Sequence, residues 1–240
     1  MAQQLQRFSA ATTPTETIVA AIHSDGGCIV ERLFDEVTIA EMREAVLAKA
    51  VRDAAGDAAP GSASFGYAAA VDVATKEARE AGTSYVGNNT IRFCSLGKIA
   101  PAPFFRMVDN AVYKSVADAI LLPFCGTYWM NTAQAMLIGP NSPAQPLHTD
   151  EGVWAQVTHR HDNAPEITVG AMIGLDTVDE AVGATRVKPY GAAESVPAEL
   201  KPGDALLYSG KVPHGGGANV TKDRVSYALV HRYVPLFAAD

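Results

Sequence analysis

Apolar residues recur every three or four positions through the first half of the chain and alternate with polar or small ones through much of the second. Near the start, Ile18, Ala21 and Ile22 fall at helical spacing before Asp25-Gly26-Gly27 breaks the run, and His23 ends that helix where its charge suits the dipole. The stretch CIVERLF that follows has the length and β-branched content of a short strand. Thr38 with Glu41 three positions on reads as a capping box, and Ile39, Met42, Val46 and Ala50 keep one apolar face through the helix it opens. The Gly, Ala, Ser and Pro residues of DAAGDAAPGSASFG end it and predict a mobile surface loop over 55–66. A further helix is predicted within FFRMVDNAVYKSVADAILL, where Val108, Val112, Val116 and Ile120 recur every four residues, with Pro123 marking its end.

Beyond that proline the period becomes two. Trp129, Asn131, Ala133, Ala135 and Leu137 alternate with their neighbours, as do Ile167, Val169, Ala171, Ile173 and Leu175, and ALLYSG and VSYALVHRYV extend the series. Helices followed by antiparallel-looking strands separated by Gly, Pro and Asn turns predict an α+β fold, with helices packed on a double-sheet jelly roll. We expect a single domain over 1–240, helix-rich over 1–125 and with the jelly-roll core over 126–235; no internal repeat divides it.

Composition narrows the partners. At 240 residues, 48% hydrophobic and 19% charged, the chain can bury one substantial core. Its net charge of −7, without a basic run, argues against nucleic acid and against an anionic membrane surface. A small molecule or a second copy of the chain remains. Cys28, Cys94 and Cys125 form no C-x-x-C pattern and are expected to be buried free thiols. No run of about 18 apolar residues appears and MAQQLQRFSAATTPTET does not read as a secretory leader, so a cytosolic location is the expectation.

The candidate chemistry lies in QPLHTDEGVW, where His148 and Asp150 stand two apart; in an extended segment such positions project to the same side. A third candidate ligand, His214, lies just beyond the apolar strand ALLYSG. Two imidazoles and a carboxylate are the facial set that holds non-haem Fe(II) and leaves positions open for substrate and oxygen. Arg224, ten residues after His214, stands where the loop GGGANVTKD meets the last strand, and a guanidinium there can grip a carboxylate with two parallel hydrogen bonds. Other residues read more plainly. His159 and His161 fall in a polar stretch read as exposed loop, and His231 reads as a satisfied or partly exposed sheet residue. The glycines at 215–217 lack the lysine of a phosphate loop and read as a tight inter-strand turn.

Taken together, NNTIRFCSLGK, AQPLHTDEGVW, GATRV and HGGGANVTKDR resemble the phytanoyl-CoA dioxygenase family of Fe(II)/2-oxoglutarate oxygenases, especially its fungal branch that tailors natural products. The resemblance runs from about GGCIVERLF to VSYALVHRY. It implies that His148, Asp150 and His214 bind iron, that Arg224 salt-bridges the distal carboxylate of 2-oxoglutarate, and that Thr185 adds a hydrogen bond to that co-substrate. It also implies that Gln145 and Arg92 reach the co-substrate or the iron pocket and that Trp154 walls the substrate cavity. The activity implied consumes O2 and 2-oxoglutarate, releases succinate and CO2, and hydroxylates, desaturates or rearranges an apolar secondary metabolite such as a terpenoid, meroterpenoid or alkaloid; related enzymes suggest a homodimer. The segment KPYGAAESVPAELKPGD departs from the family's usual longer insert after GATRV, which bears on the substrate lid and not on the iron ligands. Two other readings share the fold: a non-catalytic subunit, and a cupin-like metalloenzyme that does not use 2-oxoglutarate.

Overall fold

The alternating segments pair with one another, as a period of two requires. The computed structural model describes residues 4–54, 64–65, 90–154 and 164–235. Among them, eight strands form one sheet in the order β1 (Arg7–Ser9), β2 (Gly27–Glu31), β9 (Ala205–Ser209), β6 (Val169–Gly174), β11 (Ser226–Pro235), β5 (Tyr128–Ile138), β4 (Thr90–Phe93) and β3 (Ser64–Phe65). All neighbours are antiparallel except β1 with β2. A second sheet of three short strands, β10 (His214–Gly215), β7 (Arg186–Val187) and β8 (Val196–Pro197), faces the first. The result is a jelly roll with helices on the outer face of its larger sheet, as the alternation predicts. Strands from the first half of the chain complete that sheet at both edges, so the helix-rich part also carries strands, four of the eight.

Each long strand divides its side chains between two cores. Leu207 of β9, Ala171 and Ile173 of β6 and Leu229 of β11 join the helices in one cluster. Leu206 and Tyr208, Met172, and Ala228 and Val230 turn the other way, toward Val182, Ala184 and Leu200 beneath the small sheet. Because β6 is covered on both faces, all six of its residues are buried.

The helices are α1 (Thr15–Asp25), α2 (Glu36–Ala54), α3 (Leu96–Ile99), α4 (Pro101–Val108) and α5 (Ala111–Leu121). Gly26 stops α1 in the left-handed conformation at φ 84°, its N–H donating to Ile22 O at 2.9 Å. The cap of α2 is Asp35, not Thr38: Asp35 accepts from the Thr38 N–H at 2.8 Å and from its hydroxyl at 2.7 Å. Thr38 therefore lies inside the first turn, where its Oγ1 accepts from Arg106 at 2.8 Å. The helix expected over residues 104–122 is two helices. Asn110 interrupts it and caps the second by accepting from the Tyr113 N–H at 2.9 Å.

Of the loop expected over 55–66, Ser64 and Phe65 instead pair with Phe93 and Arg92, and the remainder lies outside the described residues. The cysteines are free; Cys28 is buried, whereas Cys94 and Cys125 are only half-buried. No helix among the described residues is long and apolar enough to cross a membrane.

Candidate metal centre and co-substrate cavity

His148 and His214 are brought together by backbone pairing. The N–H of His148 donates to His214 O at 2.8 Å and the N–H of His214 to His148 O at 2.9 Å, an isolated antiparallel bridge that places the imidazoles 4.7 Å apart. Asp150 opens a 3₁₀ turn, Asp150–Trp154, directly after this bridge, so the extended segment lasts only long enough to aim both His148 and Asp150. One donor atom from each of His148, Asp150 and His214 lies within 4.8 Å of the others.

The orientation of the imidazoles is set by their backbone neighbours. His148 Nδ1 lies 3.1 Å from Pro146 O, and His214 Nδ1 lies 3.0 Å from Val212 O. A carbonyl only accepts, so each Nδ1 carries a proton and Nε2 is the nitrogen left to face a metal. Burial holds His214 below the usual histidine range, against the opposing pull of the Asp150 carboxylate. A neutral imidazole is the form that binds metal.

Two groups unmarked by the sequence reading hold Asp150. Tyr208 donates to Oδ2 at 3.1 Å, and the Arg232 guanidinium pairs with Oδ1 at 3.0 Å. Burial, and then the Asp150 charge, push the Tyr208 phenol well up, so it stays a donor. Its ring reaches this position because Gly170, opposite it on β6, has no side chain; a Cβ there would lie 2.3 Å from the ring. The signal for Arg232 was present in the strand pattern. Ser226, Ala228, Val230 and Arg232 share one parity on β11 and line the same cavity.

That cavity, about 510 Å³, contains the triad, Arg92, Gln145 and Thr185 in its wall, with Met136, Ile138, Met172, Val178, Leu200 and Val230 as its apolar lining. Gln145 accepts from the Gly216 N–H at 2.7 Å, which ties the segment before His148 to the one after His214. The glycines there are a site of close approach: a Cβ on Gly215 would meet Pro146 O at 2.9 Å, and one on Gly217 would meet Ala184 O at 2.6 Å. Thr185, 8% exposed, enters from the start of β7.

Arg224 does not join them. Its guanidinium binds Asp179 at 2.9 Å with the side chain 45% exposed, and it is absent from the described cavity wall. The expectation that it salt-bridges the distal carboxylate of 2-oxoglutarate stands as a proposal, tested by its substitution. Arg232, level with Asp150, lies six residues beyond Ser226, roughly 20 Å along the strand at about 3.3 Å per residue, and Arg224 precedes Ser226. His231 also departs from expectation. It is fully buried on the helix side, edge-on to Phe104 with centroids 6.0 Å apart, and neither ring nitrogen has a hydrogen-bond partner. The side chain of Trp154, and all of His159 and His161, lie outside the described residues.

Comparison with known proteins agrees with this geometry. The family model described as phytanoyl-CoA dioxygenase (PhyH) matches residues 22–194 and 189–226. Dioxygenase aneA of Aspergillus aculeatus is 33% identical over 152 residues, 58% of this chain and 51% of that protein, so the match spans about half of that relative's length. Dioxygenase cdmA of Talaromyces verruculosus is 27% identical over 229 residues, 91% of this chain and 72% of the relative. Among solved structures, AviO1 from Streptomyces viridochromogenes Tue57 superposes with a TM-score of 0.64 at 16% identity, covering 95% of this chain and 98% of its own. HygX from Streptomyces hygroscopicus, crystallised with nickel, 2-oxoglutarate and hygromycin B, gives 0.63 at 14% identity, covering 93% and 88%. These neighbours share the fold, and the match of the family model over most of the sequence settles kinship: the chain belongs to the phytanoyl-CoA dioxygenase family.

Proposed function

We propose that this chain is an Fe(II)- and 2-oxoglutarate-dependent dioxygenase that oxidises an apolar small molecule, of the kind made in secondary metabolism, and works as a homodimer. The observation that carries the reading is the set of half-buried His148 with buried Asp150 and His214 at the wall of a single cavity. Two imidazoles and one carboxylate suit ferrous iron and would occupy one face of it, leaving positions open toward the cavity. The iron, once bound, supplies oxygen activation coupled to decarboxylation of the keto acid to succinate and CO2. The protein's part is positional.

Arg92 is our candidate for the distal carboxylate of 2-oxoglutarate. Arg92, on β4, lies in the wall of the cavity that holds the triad. Thr185 supplies a hydroxyl to the same end, and Gln145 keeps the segments around both histidines in register. The apolar lining excludes water, which strengthens a guanidinium–carboxylate pair. Dioxygenase names among the relatives and the 2-oxoglutarate in the HygX structure support the assignment.

Anaerobic titration with Fe(II) and then 2-oxoglutarate tests it, by the visible charge-transfer absorption of a chelated keto acid. The band is expected in the wild type and absent in His214→Ala. A folded, iron-loaded wild type without the band refutes the reading and favours a metalloenzyme that does not use 2-oxoglutarate. Sedimentation of the purified protein tests the homodimer.

A further inference from the structure

We propose that Arg232 and Tyr208 are positioning residues that hold Asp150 as a one-oxygen ligand and keep its other oxygen out of the metal's coordination shell. The inference rests on the reading above, in which iron occupies the triad.

An unrestrained carboxylate can give a metal one oxygen or two. Here the two oxygens have separate fates. Oδ2 lies on the metal side, 3.6 Å from His214 Nε2, and accepts the Tyr208 hydroxyl at 3.1 Å. Two donors at right angles on one ion, each about 2.1 Å from it, would stand about 3 Å apart, so Oδ2 and His214 Nε2 need only a small adjustment. Oδ1 lies 3.0 Å from Arg232 Nη1. With Asp150 4% exposed and Arg232 27% exposed, water competes little for that pair. The guanidinium is held by its strand: Arg232 projects from β11 into the cavity, while its neighbour His231 is buried against the helices.

The consequence is a count of open positions. An iron with about six positions that takes three protein donors has three left; a chelating keto acid uses two, and one remains for oxygen. If Asp150 swung to give both oxygens, no position would remain after the keto acid bound. Charge-assisted pairing to a fixed guanidinium is the device that prevents the swing.

Nitric oxide, a stable surrogate for oxygen, reads the remaining position, because its adduct with ferrous iron gives a characteristic S = 3/2 electron paramagnetic resonance signal. Wild type is expected to bind NO both as the Fe(II) protein and as the Fe(II)–2-oxoglutarate complex. Arg232→Met is expected to bind stoichiometric iron and to give the signal without 2-oxoglutarate. With 2-oxoglutarate present it should bind NO at least about tenfold more weakly, the scale on which groups behind metal ligands act. Arg232→Lys, which restores a cationic donor, should recover part of this affinity. Tyr208→Phe keeps the ring and removes only the hydroxyl, so it tests the Oδ2 contact should Arg232→Met fail to fold.

A merely structural role would weaken NO binding equally with and without 2-oxoglutarate, and that result overturns the proposal. So does wild-type NO affinity in the Fe(II)–2-oxoglutarate complexes of both Arg232→Met and Tyr208→Phe. A wild type that shows no keto-acid charge-transfer band removes the underlying function, a failure visible before any variant is made.

Discussion

His231 makes the chain acid-labile in a way that one substitution should reveal. The ring is fully buried among the helices, neither nitrogen has a hydrogen-bond partner, and burial lowers its pKa to about 4. In the unfolded chain the same ring titrates near its ordinary value, about 6.5. Between these values the unfolded state binds a proton that the native state refuses, so stability falls as pH drops from about 6.5 and levels off below about 4. At about 1.4 kcal/mol per pKa unit the full penalty is about 3 kcal/mol. About 2 kcal/mol of it accrues between pH 7 and pH 5. His231→Leu replaces the ring by an apolar side chain of similar bulk and removes the titration. Urea unfolding of the metal-free proteins at both pH values measures the effect, since every other titrating group is common to the pair and cancels in the difference. The variant should lose about 2 kcal/mol less than wild type on acidification. Equal losses would show that the ring is hydrated or hydrogen-bonded in solution and would refute the argument.

Three further outcomes follow from the geometry. Gly170→Ala would put a methyl 2.3 Å from the Tyr208 ring and displace its hydroxyl from Asp150, so iron affinity, read by anaerobic titration, should fall about tenfold or more; unchanged affinity would mean the ring is not needed. Arg92→Ala should raise the 2-oxoglutarate concentration needed for the charge-transfer band by at least about tenfold, as expected when a charge-assisted bond worth about 1.5–3 kcal/mol is lost. Arg224→Ala, which loses only an exposed pair with Asp179, should leave that concentration unchanged and cost less than about 1 kcal/mol in urea. Glu166 is pushed up to about 8, by burial and then by the neighbouring Glu151 carboxyl, so its native form retains a proton that the unfolded chain has lost. Stability must therefore fall as pH rises from about 4.5 toward 8, and Glu166→Gln should gain more than about 2 kcal/mol over wild type at pH 9, read by the same urea assay.

What the sequence disclosed depends on how far each inference had to reach along and across the chain. The alternation that predicted β5, β6, β9 and β11 is local, and each of those strands is observed. Helix starts were less secure, because Asp35 and Thr38 are both capping residue types and only the bond from the Thr38 N–H to Asp35 decides between them. The break at Asn110 was hidden by an apolar period that runs through two helices packed on the same core.

The arginine assignment shows the limit most clearly. Arg224 was selected by its offset from His214 along the chain. It has the same parity as Ser226, Ala228, Val230 and Arg232, so a period of two cannot separate it from the residues of the cavity wall. Depth separates them, and depth is set by register: Ser226 stands opposite Ile138 and Arg232 opposite Thr132, which puts one end of β11 at the cavity's far reach and the other beside Asp150. A guanidinium reaches only about 7 Å from its backbone, about two residues of strand. Parity alone therefore does not distinguish a residue at the cavity's far reach from one beside Asp150. The iron ligands escape this ambiguity because His148 and Asp150 are fixed by adjacency and His214 is bonded to His148 through the backbone itself, so no long strand intervenes over which register could drift.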